Sequence, residues 1–244
     1  MANKIITIDA GHGLKTFGKQ TASNLGTVYK EWSLNDKVVR KIMDGLSNYN
    51  GVEVHRIDDP TGALDITLQN RVKKSNSLKA NIHISIHHNA GGGDGAEVFY
   101  SIHGGIGKTL AVNILDEIKA IGQNSRGAKT RKSSDGTSDY YGFIRRTTPP
   151  AVIVECAFLD NKTDVQIVDT KAEQQAMGVA IAKGILKTLG VAYKPEKVED
   201  VQSTSEKIYK VQVGAFRLKE NANRLRDELR SKGYSDAFIV EVSK

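Results

Sequence analysis

His12, Glu31, His87 and Glu155 are the residues of this chain whose types and placement could do chemistry together. Each falls where a predicted element begins or ends. His12 follows the first strand, Glu31 opens the first helix, His87 closes a third strand, and Glu155 closes a late one. Two imidazoles and one carboxylate are the ligand set of a catalytic Zn²⁺ that keeps one coordination position open for water. A second carboxylate nearby supplies the base or acid such a water needs. The grouping points to metal-assisted hydrolysis.

Singly, these residues differ in weight. His12 lies between Gly11 and Gly13, which let the backbone turn sharply, and alone it reads as a turn histidine. Glu31 alone reads as a favourable charge at a helix N-terminus. In Ser85-Ile86-His87-His88, strand alternation places His87 on the Ser85 face and His88 opposite, so only one of them is readily a ligand. Glu155 interrupts the apolar run Ala151–Cys156. A buried lone carboxylate is costly and is retained for a cation, a metal or catalysis.

The elements that must position these residues alternate between strand and helix over residues 1–191. Strands are expected at Ile5–Ile8, Val52–Ile57, Asn81–His87, Glu97–Ile102 and Ala151–Cys156. In the third of these, Ile82, Ile84 and Ile86 face one way and His83, Ser85 and His87 the other. Helices are expected at Glu31–Tyr49, Leu64–Leu78, Thr109–Ile121 and Thr170–Leu189. The last has a capping box from Thr170 and Glu173, and Gly190 as its stop. The reading is an α/β fold, a twisted mixed and mostly parallel sheet flanked by helices, with its site beyond the strand carboxyl ends.

Composition bounds the setting. The chain has 244 residues and a net charge of +7, which suits either solubility or a polyanionic partner. No apolar stretch is long enough to span a bilayer, so no membrane insertion is expected. Cys156 is the single cysteine, which excludes an internal disulfide and suits a reducing compartment. The first strand is too short, and Asp9 interrupts it too early, for a secretory signal. The expectation is synthesis in the cytoplasm and action elsewhere after release. No nucleic-acid motif or aromatic–basic platform accompanies the charge, so no nucleic-acid partner is expected.

Residues 192–206 are polar and aperiodic, a linker composition. Residues 207–244 form a small β-α-β module: strand Ile208–Val213, helix Lys219–Lys232 with an Ala222, Leu225, Leu229 stripe, and strand Ala237–Val242. A unit of this size buries little core alone.

Four segments in order, Asp9–Gly13, Glu31–Asn35, Ser85–Ala90 and Arg146–Glu155 with Phe158, Leu159 and Asn161, resemble the type 3 N-acetylmuramoyl-L-alanine amidases of bacterial autolysins and phage endolysins. Leu14 and Ala157 stand where glycines are usual, changes of pocket shape rather than of functional groups. The resemblance implies Zn²⁺ held by His12, Glu31 and His87, with Glu155 as the catalytic carboxylate. The implied substrate is peptidoglycan, cut between the lactyl group of N-acetylmuramic acid and L-alanine. Tyr209–Phe216 with Glu220, Asn221, Ala222 and Leu225 resembles one half of a SPOR repeat, which implies binding of glycan strands. Two chains could pair their halves into one sheet, a homodimer through the C-terminus; the alternatives are a degenerate half that packs on the catalytic domain, or a truncated repeat. Release to the wall would come through a holin or mother-cell lysis.

The residues leave two alternatives: a zinc peptidase acting on a stem-peptide bond, and a non-catalytic peptidoglycan-binding protein. The His-Glu-x-x-His motif of many zinc peptidases is absent, and retention of all four site residues argues against a decayed site. The basic run Arg126–Lys132 reads as a loop, either solvated or facing the carboxylates of a stem peptide; Tyr140 and Tyr141 could border the same cleft.

Overall fold

The structure is a computed structural model and describes residues 3–194, 213–216, 218–234 and 237–240. The chain divides into two units, Met1–Glu196 and Lys197–Lys244. The first runs β1 (Lys4–Ala10), α1 (Glu31–Ser47), β2 (Val52–Arg56), α2 (Leu68–Ser77), β3 (Ile82–Asn89), β4 (Ala96–Phe99), α3 (Gly105–Ala120), β5 (Ser125–Lys129), α4 (Gly142–Arg146), β6 (Ala151–Phe158), α5 (Lys162–Val165) and α6 (Lys171–Thr188). One sheet of 6 strands has the order β2-β1-β3-β6-β4-β5. All neighbours are parallel except β4 against β6.

The sheet is two-faced because its strands alternate in register. Ile6, Ile8, Ile82, Ile84, Ile86, Val98, Val152, Val154 and Cys156 point to one face and are fully buried or nearly so. Helices α1, α3 and α6 close that face with Leu34, Val38, Ile42, Leu46, Leu110, Ile114, Ile118, Met177, Ile181 and Ile185. The i, i+4 spacing of Leu34, Val38, Ile42 and Leu46 makes the α1 stripe. Two glycines of α6 admit the neighbouring helices. A Cβ on Gly184 would lie 2.6 Å from the Ile114 Cα, and one on Gly178 would lie 2.7 Å from the Lys41 Cβ. Helix α6 starts on the Thr170–Glu173 capping box and stops at Gly190 with φ +69°. There Val191 N–H bonds Leu186 C=O at 2.9 Å and Gly190 N–H bonds Lys187 C=O at 3.3 Å, a Schellman closure.

The opposite face carries the polar set. Thr7 pairs His83, Asp9 pairs Ser85, and the row His87, Glu155, Glu97 crosses β3, β6 and β4 in register. Helices α2 and α4 cover its lower part. Ser75 of α2 meets Thr7, Oγ to Oγ1, at 2.7 Å, and Phe143 of α4 packs on the His83 ring at 4.3 Å.

Several expectations change. Helix α3 starts at Gly105 rather than Thr109, and β3 and β6 run past His87 and Glu155 to Asn89 and Phe158, so neither residue closes its strand. The second helix begins at Leu68, capped by Thr67, and Leu64 lies exposed in the preceding turn. The strand expected over Glu97–Ile102 runs Ala96–Phe99. The basic run expected as a loop is in part strand β5, which needs β4 as its ladder partner; nothing in Ser-Arg-Gly-Ala-Lys advertises a strand by itself.

In the second unit, α7 (Lys219–Ser231) lies where the helix was expected, and Gly233 follows it with φ +97°. No residue of α7 is buried. The strand expected at 208–213 lies outside the described residues apart from Val213. Of the strand expected at 237–242, residues 237–240 are described and carry no ladder. Among the described residues, no helix is long and apolar enough to cross a membrane.

Candidate metal centre

The loop after β1 is held from three directions. Gly11 N–H bonds Ile86 C=O at 2.8 Å, and Asn35 Nδ2 donates to Gly11 C=O at 3.1 Å. Arg71 of α2 donates to Ala10 C=O at 2.7 Å and to His12 C=O at 3.0 Å. These bonds keep His12 at φ +67°, a left-handed conformation that costs a non-glycine residue roughly 1–2 kcal/mol. Gly11 is required by close approach, since a Cβ there would lie 2.1 Å from the His87 Cε1.

Glu31, buried at the first position of α1, faces the loop. Its Oε1 lies 3.4 Å from His12 Nε2 and 3.2 Å from His87 Nδ1, and accepts the His88 backbone N–H at 3.2 Å. Burial pushes the Glu31 carboxyl up, but the two imidazoles outweigh it and hold it well below the usual carboxylate range. Candidate ligand atoms of His12, Glu31 and His87 all lie within 4.8 Å of one another. Two borderline nitrogens and one hard oxygen match the donor chemistry of Zn²⁺. His88 points away, with Nδ1 2.6 Å from Asn35 Oδ1; burial pulls its pKa down to about 4 and keeps it neutral.

Glu155 stands beside this set, paired with His87 across β3 and β6. Its Oε2 is sealed from solvent and has no hydrogen-bond partner among the described residues. Burial pushes the carboxyl up to about 7, opposed by His87 and reinforced by the charges of Glu31 and Glu97. A cleft of about 240 Å³ opens over Glu31, His87 and Glu155, rimmed by Phe17, Lys19 and Gln20. A second, of about 180 Å³, lies on the other side of His12 and His87, against Ile66, Leu68, Phe143 and Ile153.

Sequence reasoning did not find the support beneath these groups. Asp9 is fully buried, accepting from Arg71 at 2.6 Å and Ser85 at 2.8 Å, with His83 Nε2 at 3.2 Å. His83 belongs to this buried support. Glu97 accepts from Asn89 at 2.7 Å, Arg126 at 2.9 Å and Lys129 at 2.5 Å. Burial raises the Glu97 carboxyl, and the two cations outweigh it and hold it below its ordinary value. One signal was available: Glu97 and Phe99 share a strand face by alternation. Cys156 lies in the opposite core, where burial pushes its thiol far up, so it is no nucleophile.

A carboxylate-and-imidazole cluster at the carboxyl ends of parallel strands, with a buried carboxylate beside it, is a site that could hold a metal ion. The comparisons with known proteins give the family. The N-acetylmuramoyl-L-alanine amidase family matches residues 6–187, and the SPOR domain family matches residues 205–244. The chain is 32% identical over 241 residues to N-acetylmuramoyl-L-alanine amidase CwlM of Bacillus licheniformis, spanning 96% of this chain and 84% of that one. Among solved structures, Cwp6 from Clostridium difficile superposes with a TM-score of 0.71 at 32% identity, over 77% of this chain and 30% of that longer one. The catalytic domain of CwlV, an N-acetylmuramoyl-L-alanine amidase from Bacillus (Paenibacillus) polymyxa var. colistinus, superposes with a TM-score of 0.67 at 28% identity, over 78% of this chain and 99% of that one. This chain belongs to the N-acetylmuramoyl-L-alanine amidase family.

Proposed function

We propose that this protein hydrolyses the amide between N-acetylmuramic acid and L-alanine in peptidoglycan. His12, Glu31 and His87 would hold Zn²⁺, and Glu155 would move the proton. The observation that carries the reading is the unpartnered, sealed Glu155 Oε2 beside three convergent ligands. When bound, Zn²⁺ supplies Lewis-acid polarisation and lowers the pKa of water. Glu155 takes a proton from the attacking water and returns it to the alanine nitrogen as the amide breaks. A carboxyl whose pKa sits near neutrality serves both transfers. Arg71 and Asn35 keep His12 turned toward the centre. His88, kept neutral and turned away, adds no competing charge.

The C-terminal unit binds glycan strands of the same polymer. That reading is supported by the SPOR family match over residues 205–244. So short a match corresponds to half a repeat, and pairing of two chains would complete the sheet. Sedimentation across concentration tests that pairing, and a monomer throughout removes it. The domain organisation we propose is a catalytic domain over 1–191, a linker over 192–206 and the binding module over 207–244, acting together at the wall.

The test is digestion of purified peptidoglycan with and without a chelator, with new ends identified by mass spectrometry. The expected products are free N-terminal L-alanine and intact glycan, lost on chelation and restored by Zn²⁺. Cleavage at another bond sinks the substrate assignment, and binding without cleavage sinks the enzymatic one.

A further inference from the structure

We propose that Arg131 is a specificity-determining residue: its guanidinium, held by Tyr140 and Tyr141, receives a carboxylate of the stem peptide as that peptide leaves. The inference rests on the amidase reading, and begins from the order of strands. Metal-ligand candidates come from β1, β3 and the start of α1, while Glu155 is on β6. Beyond β6 lies β4, with Glu97 opposite Glu155 and Phe99 opposite Ile153 on the same face, and then β5. Glu155 hands its proton to the departing nitrogen. The amine side of the substrate therefore lies on the far side of Glu155 from the metal ligands, over β4 and β5.

Three cations from that side are differently engaged. Arg126 and Lys129 are both bound to the Glu97 carboxylate. Arg131 pairs with no carboxylate among the described residues. Its guanidinium lies 3.7 Å from the Tyr140 ring centroid and 5.9 Å from that of Tyr141. Tyr140 and Tyr141 meet edge to face at 5.2 Å, and Tyr141 packs on Phe99 at 4.8 Å. Tyr141 packs in one cluster with Phe143 and Ile153, and those two line the second cleft beside His12 and His87, which places the pair at the edge of the site. Stacking on the Tyr140 face and a hydrogen bond to the Tyr141 hydroxyl pre-orient the planar fork, whose other donors remain for a ligand. Lys19, the cation on the rim of the larger cleft, differs: its ammonium lies 4.0 Å from Glu31 and faces inward.

The ligand such a fork takes is a carboxylate. The second residue of the stem peptide offers one, and that group can also be made as the neutral carboxamide. The experiment uses the full-length, zinc-loaded protein, with disaccharide-tripeptides carrying the free acid or the amide at that residue. It measures kcat and KM separately, and binding of the corresponding free tripeptides by calorimetry. For an exposed charge pair the wild type should favour the free acid about fivefold, in KM and in peptide affinity. Arg131→Gln should abolish the preference through KM, and Arg131→Lys should restore part of it. Equal handling of acid and amide by the wild type overturns the inference, as does a preference that survives in Arg131→Gln. Peptide binding through Arg131 without any cleavage overturns the amidase reading and leaves only the carboxylate contact at Arg131 standing. Cleavage without preference does the reverse.

Discussion

Glu155 and His87 are register partners across β3 and β6, and both side chains emerge on the one polar face of the sheet. The pairing places the proposed proton carrier beside a metal-ligand candidate with no loop between them. The accuracy of the site is therefore that of a central strand pair, not of a mobile segment.

Glu155→Gln removes the proton carrier and keeps the shape. The protein should fold and bind Zn²⁺ as the wild type does, with kcat lower by roughly 10²–10⁴. Turnover on peptidoglycan together with zinc stoichiometry checks this. Near-normal turnover would falsify the role given to Glu155.

Arg71 acts on His12 through the backbone, holding the carbonyls on either side of Gly11. Arg71→Lys cannot reproduce the fork that reaches Asp9, Ala10 and His12 at once. Zinc affinity should fall roughly 10–100-fold, the usual effect of losing a residue that orients a ligand. Competition against a chromophoric chelator measures it, and unaltered affinity would remove the clamp from the account.

Asp9 predicts an acid-side loss of stability. Burial raises its carboxyl, but the His83 contact and the Arg71 guanidinium outweigh that and hold it well below the usual range. A depressed folded-state pKa contributes stability that is full above the unfolded value of about 4 and is lost as pH falls toward the folded value. Urea midpoints should therefore drop steeply below about pH 4 in the wild type. Asp9→Asn should be less stable at neutral pH by about 3–5 kcal/mol, since it strands Arg71, and should show a flatter acid limb. Parallel curves for the two proteins would contradict this.

Gly184 lets α6 lie against α3. A methyl there meets the Ile114 backbone, which cannot rotate away. Gly184→Ala should cost about 1–3 kcal/mol, although alanine is the better helix former. A urea midpoint at or above that of the wild type would mean that the helices yield.

The C-terminal helix was legible because Ala222, Leu225 and Leu229 repeat at helical spacing, and its Gly233 stop follows from conformation alone. Strand β5 was not legible, because Ser125–Lys129 is a strand only in the company of β4. Leu64 shows the opposite error: it continued a helical spacing, but Thr67 caps the helix first.

By itself the sequence determined the alternation of strand and helix and the division of β3 into an isoleucine face and a histidine face, and it singled out four residues at or near element ends. These follow from periods of two and 3.6 and from the cost of a lone carboxylate in an apolar run, all of them local in the chain. Only the tertiary structure decided what those residues face. It brought Arg71 to the carbonyls of the His12 loop, placed Glu97 opposite Glu155, engaged Arg126 and Lys129, and left Arg131 between two tyrosines. Most of these contacts join residues tens of positions apart. Which side chains meet is set by strand order and register, which no local period encodes.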